Sequence, residues 1–151
     1  MGSELDKDIE SLREKFLNKE FDEVTFKLDE QRIAEYAKVC GEIAKKFIDP
    51  TNEKFQATPT FVSTLVGSRG LPEDFPKPPG MAMDAGKYVE WIAPILGGAT
   101  LVGKSHLHDI YTKTGRSGRM IFLVTRMELF DGNTHVANAD TRTVFRESSN
   151  G

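Results

Sequence analysis

The chain carries few residues of the types that perform acid–base or metal chemistry, and two of them stand close together. His106 and His108 are two residues apart in a segment that reads as a β-strand, so both side chains point to one face of a sheet. A pair of this kind is a common beginning of a metal site. Asp109 is a further candidate ligand, but it points to the opposite face. We therefore interpret the two histidines as solvent-facing or interface residues and expect no metal ion.

The other reactive side chains are isolated from one another. Glu42 is a candidate acid, since a carboxyl group in an apolar cleft has a raised pKa. It has no acid–base partner in the neighbouring sequence, so we interpret it as a surface residue. Cys40 falls on the predicted buried face of a helix and is interpreted as a packing residue rather than a nucleophile. His135 begins a predicted strand beside a hairpin, where we expect it to be exposed.

The composition is that of an ordinary globular domain. The 151 residues are 38% hydrophobic and 28% charged, with a net charge of −3. We expect one domain over residues 1–151, with an extra N-terminal helix within residues 1–20. No basic run predicts nucleic-acid binding, and no apolar run is long enough to span a bilayer. A single cysteine excludes an internal disulfide, and the charged N-terminus favours a cytoplasmic protein.

Helical patterns dominate the first half of the sequence. Leu5, Ile9, Leu12 and Phe16 form one apolar stripe, which predicts a helix over residues 4–17. A short strand is predicted over residues 24–28. Asp29 then caps a second helix, which ends at Gly41. The predicted buried face of this second helix comprises Ile33, Tyr36, Ala37 and Cys40. Residues 42–54 read as an irregular connection.

Residues 55–68 lack charge altogether, in a chain that is 28% charged. Phe61, Val62, Leu65 and Val66 recur at helical spacing, and Pro59 suits a first helical turn. A helix without a polar face must be covered on nearly every side. The pattern therefore predicts a central buried helix around which the rest of the chain folds.

Strand patterns dominate the second half. A proline-rich loop over residues 72–80 precedes predicted strands over residues 87–92, 100–111, 120–130 and 135–146. Asp131-Gly132 is a strong signal for a hairpin between the last two strands. Helices followed by an antiparallel meander indicate an α+β fold.

This order of elements resembles a hot-dog fold, in which an antiparallel sheet wraps around a central helix. From about residue 24 to 146, the sequence resembles the N-terminal half of MaoC-like dehydratases, the (R)-specific enoyl-CoA hydratase group. Four segments carry the resemblance: Tyr36–Gly41, Ala57–Phe61, Tyr88–Ile95 and Asp109–Gly118. Their order and spacing together are more specific than any of them alone.

The resemblance implies that this chain lacks the family's catalytic pair. Catalytic members carry an Asp and a His after the first conserved helix, which activate the water that adds to the enoyl double bond. Glu42 stands where that Asp belongs and Phe47 where that His belongs. We therefore assign no catalytic residue and no cofactor. Since the sequence ends at Gly151 without a catalytic second half, the resemblance implies a separate catalytic hot-dog subunit, in a heterodimer or heterotetramer.

The same resemblance implies an acyl-CoA thioester as the ligand. We expect Phe47, Phe55 and Phe61 to line the acyl-binding channel, which this chain shapes for its partner. The basic residues Lys113, Arg116 and Arg119, around a predicted tight turn at residues 115–118, are candidates to meet the phosphates of coenzyme A. Two alternatives stay open: a homodimeric hot-dog acyl-CoA thioesterase, with Glu42 as a candidate acid, and a non-enzymatic acyl-CoA-binding module.

Overall fold

The computed structural model describes residues 4–78, 80–116 and 118–147, with side chains from residue 8 onward. The predicted burial of Leu5 and the conformation of Ser117 in the predicted turn lie outside these residues. The helices and strands run in the order α1 (Glu4–Phe16), β1 (Glu20–Lys27), α2 (Glu30–Val39), α3 (Lys45–Ile48), a 3-10 helix (Pro59–Thr64), β2 (Met81–Trp91), β3 (Thr100–Gly115), β4 (Gly118–Asp131) and β5 (Thr134–Arg146). Among the described residues, no helix is both long and apolar enough to cross a membrane.

The five strands form one antiparallel sheet in the order β1-β3-β4-β5-β2. Strands β3 to β5 are consecutive in sequence and adjacent in space, as the predicted antiparallel meander requires. The first strand of the predicted meander is an exception, because β2 pairs with β5 and not with β3. The predicted hairpin between the last two strands is confirmed, although its two loop residues are Gly132 and Asn133, because Asp131 ends β4 and pairs with Thr134. Gly132 takes a positive φ of 58° there. The fold is α+β and of the hot-dog type, with β1 and β2 at the two edges of the sheet.

Helix α2 supplies much of the cover over this sheet. Its N-terminus is capped as predicted, because Asp29 Oδ1 accepts hydrogen bonds from the backbone N–H groups of Gln31 and Arg32. Ile33 and Ala37 are fully buried. Cys40 was expected on this buried face, and that prediction is wrong: the helix ends at Val39, and Cys40 is exposed at its C-terminal cap.

The predicted central helix over residues 55–68 is wrong in extent and type. Only Pro59–Thr64 are helical, in a 3-10 helix, and Val66 is 72% exposed. Ser63 Oγ donates to the carbonyl of Thr60 and Thr64 Oγ1 to that of Phe61, bonds between residues three apart that suit a tight 3-10 turn. Within the predicted segment, Phe61 and Val62 are buried as expected, at 2% and 0% exposure.

A carboxylate on β1 holds the chain in its extended course after the 3-10 helix. Asp22 accepts hydrogen bonds from the backbone N–H groups of Ser68 and Arg69 and from the hydroxyl of Ser68. Partial burial acts to raise the pKa of Asp22, but the hydrogen bonds from Ser68 and Arg69 outweigh it and lower the pKa. These bonds replace the contacts that a longer helix would have made.

Two clusters of buried apolar residues stabilise the fold. The first lies between α2, the 3-10 helix and the sheet, and includes Ile33, Phe61, Leu101 and Leu129. The second packs α1 against the far end of β3 to β5 through Ile9, Phe16, Leu107 and Ile110. Burial of Ile9 and Phe16 confirms the predicted stripe of α1 at those two positions.

Candidate functional site

The connection between α2 and α3 is where the family resemblance places the catalytic pair. Gly41 has a φ of 86° and ends α2, with its N–H bonded to the carbonyl of Lys38 and the Glu42 N–H bonded to that of Ala37. Glu42 is exposed, and its carboxylate makes no hydrogen bond or ion pair with any of the described residues. Phe47 lies on α3, with Lys46 Nζ 4.9 Å from the centre of its ring. Neither position carries an acid–base pair.

His106 and His108 lie on β3, in the sheet, and not in the connection between α2 and α3. His106 Nε2 and His108 Nδ1 are 3.1 Å apart, so the prediction that both face the same side is confirmed. His106 Nδ1 is 3.3 Å from a carboxylate oxygen of Glu128. Burial lowers the pKa of His106, and the Glu128 carboxylate only partly opposes that shift. Among the described residues, no three His, Cys, Asp or Glu side chains converge as metal ligands would.

His135 was expected to be exposed, and that prediction is wrong. It is half-buried, with Nε2 2.7 Å from Asn138 Oδ1 and its ring stacked 4.8 Å from that of Phe130. A register shift between β4 and β5 at Leu129 and Phe130 places these rings side by side. These contacts pack His135 against the end of β4.

The three phenylalanines assigned to the acyl channel do not come together on one surface. Phe55 and Phe61 lie in the first core cluster, at 6% and 2% exposure, and Phe61 packs edge-on against Tyr36 at 5.4 Å between ring centres. Phe47 is half-buried on α3 and is not a member of that cluster. Buried rings offer little surface to a ligand in this conformation, so their role in acyl binding stays a prediction.

A cavity of about 270 Å³ opens instead between the sheet and the extended segment that follows the 3-10 helix. Its volume lies just below the usual range for complete small-molecule pockets. Residues 65–70 contribute one wall of this cavity and strands β2 to β5 the other. Lys87 joins the two walls, because its Nζ donates to the carbonyl of Ser63 at 3.1 Å.

Two rows of side chains that run across the strands form most of the sheet wall of the cavity. One is polar: Lys87 on β2 pairs with Thr141 on β5, which pairs with Thr125 on β4. The next row is apolar except at its end. Its members are Val89, Ala139, Met127 and Ser105. We call Lys87, Thr141 and Thr125 the polar row. Sequence reasoning missed it, since only strand register brings these residues together.

Within the described residues, β2 pairs only with β5, so one edge of the sheet is open along the 11 residues of β2. Large apolar side chains on and just after it are exposed: Met81 at 75%, Tyr88 at 58%, Trp91 at 48% and Leu96 at 53%. An unpaired edge of this length with apolar flanks is suited to pairing with another chain.

The basic turn between β3 and β4 is described only in part. Lys113 Nζ lies 5.7 Å and 5.6 Å from the centres of the stacked Tyr111 and Phe122 rings, and Arg116 is exposed. The contact of Lys113, Arg116 and Arg119 with coenzyme A phosphates stays a prediction.

The sheet, the short helical cover and the cavity between them define a hot-dog α+β domain. Residues 15–139 match the family described as FAS1-like, dehydratase domain region. The chain therefore belongs to this family of MaoC-like hot-dog dehydratases, as its resemblance predicted. No curated protein sequence matches the chain significantly.

Solved structures agree with this assignment. The ChsH1-ChsH2 complex from Mycobacterium tuberculosis is similar over 98% of this chain and 94% of the matched chain, with a TM-score of 0.65 and 14% identity. A MaoC-like dehydratase from Phytophthora Capsici shows 26% identity and a TM-score of 0.61 over 88% of this chain, which spans 48% of that protein. The HadBC (3R-hydroxyacyl-ACP dehydratase) complex from Mycobacterium tuberculosis shows 17% identity, a TM-score of 0.58, and coverage of 80% and 90%.

Proposed function

We propose that this chain is a non-catalytic hot-dog subunit of a cytoplasmic enoyl-CoA hydratase, or (R)-3-hydroxyacyl thioester dehydratase, whose partner chain supplies the catalytic Asp and His. The observation that carries the proposal is the connection between α2 and α3. It presents an exposed Glu42 and the apolar ring of Phe47 where a catalytic pair is expected.

The chemistry of hydration explains why these residues are insufficient. Addition of water to an enoyl thioester requires a base for the water and an acid for the α-carbon. Phe47 has no proton to transfer. The sequence has three histidines, and all of them lie on β3 and β5, away in sequence from Glu42. A lone exposed carboxylate supplies one of the two functions at most.

The start of the 3-10 helix lacks a further catalytic feature. In catalytic members, backbone N–H groups at the central helix polarise the thioester carbonyl. Pro59 has no N–H, and the helix that it begins has six residues. This chain is therefore better suited to shaping a substrate channel than to stabilising the charge that develops during the reaction.

The open edge at β2 supports a paired assembly. A second hot-dog sheet that paired there would satisfy the free backbone groups and cover Tyr88, Trp91 and their apolar neighbours. Two of the similar solved structures are named as two-component complexes, which agrees with a catalytic hot-dog partner of this kind.

We assign the far part of the acyl group to the cavity beside residues 65–70. The shortened helix leaves this space, and the apolar row gives a hydrocarbon segment a surface to contact. Phe61 would support the cavity wall from the core, because it precedes the lining residue Ser63 by two positions. Contacts of Phe47 and Phe55 with the acyl group remain part of the proposal and require a local rearrangement of Phe55.

Activity measurements with and without the partner test this function. The purified chain alone should hydrate crotonyl-CoA negligibly, and adding a catalytic MaoC-like chain that binds it should raise turnover at least about a hundredfold over the lone chain. Robust turnover by the lone chain would contradict a non-catalytic role. Hydrolysis of saturated acyl-CoA esters by the lone chain would favour the thioesterase alternative instead.

A matched pair of edge variants tests the assembly. Trp91→Glu places a charge on the open β2 edge, whereas Thr25→Glu places one on an exposed position of the opposite edge strand β1. Co-purification with the catalytic chain should be lost in the first variant and kept in the second, with both remaining folded by circular dichroism. Equal co-purification of both variants would show that the partner does not bind at β2.

A further inference from the structure

The polar row lies on a surface that a hydrocarbon ligand would not favour. Thr125 and Thr141 face each other across β4 and β5, and Lys87 faces Thr141 from β2. All three line the cavity, together with the hydroxyl residues Ser63, Ser105 and Thr143. A pocket for a plain acyl chain is lined mainly by apolar side chains. Here an exposed ammonium group on the edge strand β2 and hydroxyl groups on the neighbouring strands line the sheet wall.

Two hydroxyl groups of the sheet wall have at most one weak hydrogen bond to the protein within the described residues. Ser105 is 4% exposed, and its Oγ makes no hydrogen bond within the described part of the chain. The Thr125 hydroxyl lies 3.5 Å from the Gly70 carbonyl, at the limit of a hydrogen bond. A hydrocarbon tail that displaced water from these groups would leave them unsatisfied, which opposes its binding.

The charges around the cavity leave one cation uncompensated. Arg69 lies 3.5 Å from Glu73, and Asp140 is held by a two-pronged contact with Arg126 at 2.8 and 2.9 Å. Lys87 has no carboxylate within salt-bridge distance in residues 4–78, 80–116 and 118–147. One of the three N–H groups of its ammonium donates to the Ser63 carbonyl, and the other two can donate to a ligand.

We propose that the cavity accepts an acyl group whose far end carries a hydrogen-bond-accepting oxygen, specifically a carboxylate, rather than a plain hydrocarbon chain. This inference rests on the proposed function in one respect, that the ligand is an acyl thioester. The Lys87 ammonium binds the carboxylate, the hydroxyls of Thr125 and Thr141 donate to its oxygens, and the apolar row contacts the methylene segment. Residues of β2, β4 and β5 in this subunit thus bind the far end of the substrate, away from the reacting double bond.

Calorimetric titration with two matched esters tests the proposal. Hexanoyl-CoA and adipoyl-CoA have acyl groups of the same length, and only the second ends in a carboxylate. The wild-type chain should bind adipoyl-CoA about tenfold or more tightly than hexanoyl-CoA, as expected for hydrogen bonds to a charged group. Lys87→Met should abolish this preference, so that the variant binds the two esters with equal affinity. Lys27→Met, an exposed lysine on the opposite edge strand, should behave as wild type.

The outcomes separate this inference from the proposed function. Equal affinities for the two esters, a preference that survives Lys87→Met, or no binding of either ester would overturn the inference. Equal affinities would leave the hydratase role unaffected, because partner-dependent turnover of crotonyl-CoA does not depend on the polar row. A Lys87-dependent preference without partner-dependent turnover would support the carboxylate site and remove the hydratase role.

Discussion

Two regions of the same sheet are covered in different ways. Under α2, Leu101 and Leu129 are fully buried against Ile33 and Val62, and all four are 0% exposed. Under residues 65–70, the sheet carries the polar row and borders a cavity. Met127 belongs to both regions and marks the boundary between them. We call them the packed region and the hollow region.

The difference shows that one part of the domain can stabilise the fold while another part leaves space for a ligand. A regular helix satisfies its own backbone groups and can present a continuous apolar face to the sheet, as α2 does. The backbone groups of an extended segment need hydrogen-bond partners from elsewhere in the chain, and here the Asp22 carboxylate accepts from two of its N–H groups. The extended segment fills less space than a helix would, so the sheet beneath it stays accessible. The packed region therefore stabilises the fold, while the hollow region is available to a ligand.

Replacing one leucine by alanine in each region should give the largest difference in stability between the two regions. Leu129→Ala removes a fully buried side chain from the packed region, so we expect a loss of about 2–5 kcal/mol in the free energy of unfolding. Leu65→Ala removes a half-buried side chain beside an existing cavity, and should cost less than about 1.5 kcal/mol. Urea unfolding of both variants measures the difference. Equal losses would mean that the hollow region is as well packed as the other.

Two glycines of the hollow region make a second matched pair. A Cβ on Gly67 would lie 2.7 Å from Asp22 Oδ2, whereas one on Gly70 would meet nothing within 4 Å. Gly67→Leu should therefore displace the carboxylate that holds residues 68 and 69, at a cost of about 1–3 kcal/mol. Gly70→Leu should change the melting temperature little. If the two substitutions were equally harmful, the close approach at Gly67 would not be the cause.

The sequence predicted the packed region better than the hollow one. Strand and turn signals located β3 to β5, and Asp29 located the start of α2, because these signals act between neighbours in the chain. The start of β2 at Met81, six residues before its predicted start, was missed because this edge strand is exposed on both faces and does not alternate. Nothing local in the sequence distinguishes such a strand from a loop.

The hollow region depends on contacts between distant residues. Asp22 and Ser68 are 46 positions apart, and their hydrogen bonds hold the extended segment that follows the 3-10 helix. The polar row likewise needs the register of three strands, from Lys87 to Thr141 to Thr125. Sequence periodicity indicates neither of these contacts, which is why the cavity lining was not predicted.

Acidification should loosen the hollow region before the packed one. The pKa of Asp22 is lowered in the folded protein from an ordinary value of 3.8, because the hydrogen bonds from Ser68 and Arg69 favour its charged form more than burial disfavours it. A carboxyl group with a lowered pKa stabilises the fold above its unfolded pKa, and that contribution is lost as the pH falls through the folded value. The loss therefore begins near pH 4 and continues below it.

Comparing wild type with Asp22→Asn isolates this contribution. Near neutral pH the variant should be less stable by about 1 kcal/mol, a small value because the group is partly exposed and its interactions are screened by water. As the pH falls below about 4, the two unfolding free energies should converge. Ser68→Ala removes one donor and should show a smaller gap with the same pH dependence. A gap that stays constant from pH 7 to pH 3 would show that the charge of Asp22 does not hold this segment in place.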